Sequence, residues 1–228
     1  MNPIIISAPF GNWIRPKGCT LTLGTFTANY RAGVLKRLWR MAVALRPIPR
    51  AKAWINKMGL PNPGIHSIYF DWLKNNDYFN NKIISIHGFN TIEWGGLIDY
   101  TASYHPLAIE LNISCPNVEP TTSREILDLA KIVEKHKDTT FIAKLPPIRW
   151  MEAAKPMADA GIAWFHACNT IWTPGGGISG KPLMPYSLWA VEELRRAFPD
   201  SKIIGGGGIK LKRYLSLSRR WCRPLRHW

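Results

Sequence analysis

The sequence predicts an α/β protein built as a (β/α)8 TIM barrel that is incomplete, its eighth strand missing. Three observations carry that reading. Short β-branched runs alternate with longer amphipathic runs, the pattern of parallel βαβ units. Most of the seven predicted strands end in glycine or polar residues, so functional groups gather at one face, as they do at the C-terminal face of a barrel. No strand pattern follows Ile209 in a chain of 228 residues, whereas such a barrel typically takes about 250. A doubly wound open sheet is the alternative, and candidate groups arriving from nearly every strand count against it.

Ile4 to Ala8 reads as a buried strand ending in Pro9-Phe10-Gly11-Asn12, and Thr20 to Thr27 as a second. The basic stretch from Arg31 to Arg50, with Pro47 and Pro49, reads as a long excursion. Ala53 to Ile65 follows as a loop rich in Gly and Pro, and Ile68 to Leu73 as a helix. Lys82 to Ile86 is the third strand, closed by His87-Gly88, and a helix spans about Ile92 to Tyr104. Leu107 to Asn112 is the fourth strand. It opens into Ser114-Cys115-Pro116-Asn117, where proline cannot extend a central strand. The clearest helix comes next, with Thr122-Ser123 as its cap and Ile126, Leu129, Ala130 and Val133 on its apolar face. Thr140 to Leu145 is the fifth strand, stopped by Pro146-Pro147, and Met151 to Ala160 a short helix turned out at Gly161. Ile162 to Cys168 is the sixth strand. A glycine-rich loop (Pro174 to Gly180), a helix (Ser187 to Phe198) and a seventh strand (Lys202 to Ile204) lead into Gly205 to Gly208.

Composition narrows the class. At 46% hydrophobic residues the chain is an ordinary globular one. No apolar run reaches the roughly 18 residues a membrane span needs. The opening Met1-Asn2-Pro3 lacks the basic region of a signal sequence, so the expected location is cytoplasmic. The four cysteines are far apart, which disfavours a zinc site or a disulfide framework. The net charge of +15 points to a polyanion, but it is local. Seven of the 30 Lys/Arg lie in 210–228, which has no acidic residue, and six more lie between Arg31 and Arg50. Neither cluster has the interleaved aromatics of a single-strand binder, so no specific nucleic-acid partner is expected. The chain therefore divides into a barrel domain, 1–209, and a basic tail, 210–228. The abrupt change of character predicts a frameshifted C terminus on a truncated barrel, with a genuine polyanion-binding tail as the alternative.

Eight segments stand out: Ser-Ala-Pro-Phe-Gly (7–11), Gly-Thr-Phe-Thr (24–27), Ile-Asn-Lys-Met-Gly-Leu-Pro-Asn (55–62), Asn-Ile-Ser-Cys-Pro-Asn-Val (112–118), Ala-Lys-Leu-Pro-Pro (143–147), Asn-Thr (169–170), Gly-Gly-Ile-Ser-Gly-Lys-Pro-Leu (176–183) and Ile-Ile-Gly-Gly-Gly-Gly-Ile (203–209). In this order and spacing they resemble the dihydroorotate dehydrogenase family. The resemblance implies an FMN-containing barrel that oxidises dihydroorotate to orotate in pyrimidine biosynthesis. Cys115 is then the general base opposite the flavin, a role that suits a thiol whose pKa near 8.5 neighbouring charge can lower; an inert buried cysteine is the plain alternative. Asn56, Asn112, Asn117 and Asn169 would hold the substrate ring, each offering a donor and an acceptor. Met58, Gly59 and Leu60 would contact its carboxylate through the backbone, and Thr170 would add a hydroxyl. Ala8, Gly11, Thr25, Asn112 and Cys168 would line the flavin. Lys144 would stabilise its reduced form, since a lysine inside an apolar strand is costly unless it meets an anion or an acceptor. Gly180, Gly207 and Gly208 would approach its phosphate. The expected partner is a small-molecule substrate, and a homodimer is left open.

Three departures accompany the match. Leu23 stands where the soluble branch carries a lysine, with Lys17 as a substitute from the preceding loop. The Gly-Thr turn after strand eight is absent. The chain also opens directly on its first strand, without the family's N-terminal hairpin or membrane-binding helices. Together they predict weak FMN binding or none. The competing readings are a tRNA dihydrouridine synthase, also an FMN barrel with a cysteine, and an inactive truncated pseudoenzyme.

Overall fold

A computed structural model describes residues 1–31, 39, 43–57, 59–113 and 122–207. Seven short runs become parallel strands because alternate residues find an apolar layer on each side. They are β1 (Ile5–Ile6), β2 (Thr20–Phe26), β5 (Lys82–Ile86), β6 (Ala108–Leu111), β7 (Phe141–Lys144), β8 (Trp164–Ala167) and β11 (Lys202–Gly205). Their order in the sheet is β1-β2-β5-β6-β7-β8-β11, so each strand is added beside the one before it. A doubly wound sheet reverses its strand order at a switch point, and this one does not. The result is a curled half-barrel, an incomplete TIM barrel.

The helices cover the convex side. They are α1 (Ile68–Lys74), α2 (Thr91–Ala102), α3 (Ser123–Val133), α4 (Trp150–Asp159) and α5 (Met184–Ala197). The α3 cap is the expected one: the Thr122 hydroxyl accepts from the Glu125 amide while the Glu125 carboxylate accepts from the Thr122 amide. Side chains alternate along each strand. Ile84, Ile86, Ile109, Leu111, Phe141, Ala143, Phe165 and Ala167 point outward into one large core with Trp94, Leu97, Leu129, Met157 and Leu194. Ile83, Ala108 and Ile142 point inward, with Ile5, Trp164 and Ile204 packed on them. Among the described residues no helix is long and apolar enough to cross a membrane.

A second sheet departs from expectation. The segments read as excursion and loops contain β3 (Leu45–Ile48), β4 (Ala53–Asn56), β9 (Ile171–Thr173) and β10 (Gly176–Gly180). They form an antiparallel sheet in the order β3-β4-β10-β9. Glycine hides β10 from a propensity reading, yet close approach demands it: a Cβ on Gly180 would lie 2.6 Å from the Lys52 carbonyl oxygen, and one on Gly176 2.7 Å from that of Asn56. Pro47 is tolerated because β3 is an edge strand. The predicted absence of strand eight, the 209/210 boundary and the tail concern residues outside the described ones.

Candidate active site

The inner face changes character one step above its apolar layer. Two residues along from Ile83, Ala108, Ile142 and Trp164, the strands carry Ser85, Glu110, Lys144 and His166. Register places Ser85 beside Glu110 and Lys144 beside His166. All four are buried. The Glu110 carboxylate sits at their centre. One oxygen accepts from the Ser85 hydroxyl at 2.8 Å and from the Lys144 ammonium at 3.5 Å; the other accepts from His166 Nδ1 at 2.8 Å. Burial by itself would raise the Glu110 pKa, but the Lys144 charge, the His166 contact and the Ser85 hydrogen bond outweigh it and hold the carboxyl at about 2. Glu110 is therefore an anion. The His166 ring is packed against Gly206, where a Cβ would fall 2.9 Å from Nε2.

The same network climbs to the C-terminal ends of the strands. The Ser85 and Thr25 hydroxyls are 3.0 Å apart, and Asn112 Nδ2 donates to Thr25 Oγ1 at 3.0 Å. Asn169 Nδ2 donates to Asn112 Oδ1 at 3.0 Å, and the Thr170 amide to Asn169 Oδ1 at 2.8 Å. Backbone bonds from the Asn112 amide to the Ile86 carbonyl and from the Asn169 amide to that of Leu145 extend the parallel ladder and fix these residues past their strands. His87 Nδ1 donates to the Asn112 carbonyl at 2.8 Å, and burial lowers the His87 pKa, so its ring is neutral.

Thr25, Asn112, Lys144, Asn169 and Thr170 thus belong to one hydrogen-bonded system. The other expected residues lie around it. Ala8 and Gly11 occupy the turn after β1, with Gly11 buried against the Thr22 and Ile6 carbonyls. The neighbouring Asn12 side chain bonds both backbone groups of Gly24 and ties that turn to β2. Asn56 ends β4, Gly59 and Leu60 follow it, and Gly180 ends β10. Gly207 lies just beyond β11. Cys168 is buried behind β8, and burial, opposed by a hydrogen bond with Ser187, pushes its thiol up to about 11. It is a neutral thiol. Leu23 packs in the convex core. Cys115, Asn117, Met58 and Gly208 fall outside the described residues.

Ser85, Glu110 and His166 escaped the sequence reading. Glu110 carried the signal that singled out Lys144, a charge inside an apolar strand, but pairing the two requires the sheet register.

The sequence model described as dihydroorotate dehydrogenase matches residues 21–212. The catalytic subunit of dihydroorotate dehydrogenase B (NAD(+)) from Methanocaldococcus jannaschii is 32% identical over 185 residues, covering 68% of this chain and 59% of the relative. The corresponding subunit from Bacillus thuringiensis is 30% identical over 194 residues, covering 72% of this chain and 62% of the relative. The chain spans about three fifths of the length of these relatives. Because the match runs from Leu21 in β2 past the end of β11, and so covers most of the chain, the chain belongs to the dihydroorotate dehydrogenase family.

Proposed function

We propose that the chain is an FMN-dependent oxidoreductase that converts dihydroorotate to orotate in the formation of pyrimidines. The observation that carries the reading is the meeting of a buried lysine, two carboxamides and a hydroxyl at adjacent strand ends in a chain of this family. That donor set fits a flat heteroaromatic cofactor whose reduced form is an anion. Lys144 would face its pyrimidine edge, Thr25 and Asn112 its polar rim, and the backbone at Gly207 its phosphate.

Oxidising a dihydropyrimidine removes a proton from one ring carbon and a hydride from its neighbour. FMN, when bound, supplies the hydride acceptor. The proton goes to Cys115, three residues beyond Asn112, acting as a thiolate base. Asn112 and Asn169 orient the ring, since each carboxamide matches an alternating N–H and C=O edge. The Lys144 charge would stabilise the cofactor's reduced form.

The test is anaerobic addition of dihydroorotate to protein reconstituted with FMN. Bleaching of the flavin, lost in Cys115→Ala, supports the proposal. Stoichiometric flavin that dihydroorotate leaves oxidised overturns the substrate assignment, and failure to bind FMN, the outcome the three departures in the sequence favour, overturns the cofactor assignment in favour of an inactive truncated chain.

A further inference from the structure

The hydrogen bonds between Glu110 and the barrel mouth have only one consistent direction. An ionised carboxylate accepts and cannot donate, so the single Ser85 proton points to Glu110. The Ser85 oxygen is then left to accept from Thr25, whose own proton is used in that bond. Thr25 Oγ1 can only accept from above, which requires the NH2 of Asn112 to face it. Asn112 Oδ1 is thereby turned toward Asn169 and takes its NH2, and Asn169 Oδ1 is turned toward the Thr170 amide. Every donor in the series points down toward one buried charge. Inverting the Asn112 amide would set its oxygen against the Thr25 oxygen at 3.0 Å, two acceptors with no proton between them.

We propose that Glu110, through Ser85 and Thr25, fixes the orientation of the Asn112 and Asn169 carboxamides and so sets the donor and acceptor pattern that the barrel mouth presents to the substrate ring. Glu110 and Ser85 are positioning residues: they act through the asparagines. The link to substrate rests on the function proposed above, whereas the link between Glu110 and the amides rests on geometry alone. The arrangement accounts for a polar layer where barrel interiors are usually filled by branched apolar side chains. It also explains why both groups between the carboxylate and Asn112 are hydroxyls: each passes direction along by accepting one bond and donating one.

The decisive variants remove a hydroxyl and leave both charges of the Lys144–Glu110 pair in place; Thr25→Val does so without contact to either. Ser85→Ala and Thr25→Val break the series at successive steps, and Thr25→Ser keeps it. Side-chain amide resonances of Asn112 and Asn169, followed by NMR, give a readout that needs no flavin. Ser85→Ala is expected to shift both, including that of Asn169, which Ser85 does not touch. Thr25→Val should reproduce the change, Thr25→Ser should restore it, and the Ser85→Ala/Thr25→Val double variant should add nothing, because the two lie in one series. An unmoved Asn169 resonance, or additive effects, overturns the proposal. If Ser85→Ala does not fold, the Thr25→Val and Thr25→Ser pair decides by itself. In flavin-loaded protein, orotate affinity and the KM for dihydroorotate should worsen about tenfold in Ser85→Ala, with kcat changed less. A wild-type chain that takes up neither FMN nor orotate sinks the functional assignment while leaving the resonance test to judge the relay.

Discussion

Replacing Glu110 by glutamine keeps the shape of the buried network and deletes its charge. The Lys144 ammonium and the Glu110 carboxylate are 3.5 Å apart, with side chains 7% and 2% exposed. At an effective dielectric of about 20 that separation is worth roughly 5 kcal/mol, and breaking a buried pair from one side costs about 3–5 kcal/mol. The titration of the carboxyl expresses the same interaction. Its pKa falls from 4.5 unfolded to about 2 folded, so between those values the unfolded chain binds more protons than the folded one. The stabilisation, roughly 3 kcal/mol, is complete above pH 4.5, declines as pH falls through the window and is gone below pH 2. Urea unfolding followed by circular dichroism at several pH values measures both effects. Glu110→Gln should be less stable than wild type by about 3–5 kcal/mol at pH 7, with the gap closing as the solution is acidified toward pH 2. Glu110→Gln/Lys144→Met should recover much of the loss, because removing both charges strands neither. A single variant within about 1 kcal/mol of wild type, or a double variant no better than the single, would refute the role assigned to the pair.

Three further outcomes are expected. Thr22 Oγ1 is buried without a hydrogen-bond partner among the described residues; Thr22→Val should therefore stabilise the fold by about 1 kcal/mol, a rise in Tm of roughly 2–4 °C, and a fall in Tm would count against it. Gly206→Ala should destabilise the chain by about 1–3 kcal/mol, because the new methyl meets the His166 ring; thermal melting measures it, and an unchanged Tm would count against that contact. Cys168, neutral with its thiol pushed up to about 11, should resist iodoacetamide at pH 8 in the folded protein while half-buried Cys19 reacts; mass spectrometry of the labelled peptides decides, and equal labelling would contradict the burial described.

The main sheet was largely legible because its strands carry their own signal. Lys82 to Ile86, an isoleucine run between polar ends, is a strand with the bounds the sequence suggests, and the Thr122–Glu125 capping box marks the start of α3. The second sheet was not, since β10 is held by backbone proximity that only glycine permits and β3 includes a proline. At the site, the family resemblance names Asn112, Asn169 and Lys144, the last also as a charge inside an apolar strand, and the structure joins them in one hydrogen-bonded system. Their common dependence on Glu110 could not be read from the sequence, because it passes through residues 25, 85 and 110, which lie far apart in the chain and meet only through the register of β2, β5 and β6. The glycines after β11 illustrate the same limit: a run suited to phosphate contact also contains Gly206, whose missing side chain makes room for an imidazole.

The two sheets differ in when they can be made. In the parallel sheet each strand pairs with one already synthesised, so the half-barrel can grow as the chain leaves the ribosome. The antiparallel sheet also depends on a distant contact, because Gly177 in β10 pairs with Asn56 in β4 and strands β5 to β8 lie between them in the chain. Closing so distant a contact is slow relative to local pairing. β9 begins directly after Asn169 and Thr170, so the rim of the site stands where the two sheets meet, with one side on the parallel ladder and the other on the long-range sheet.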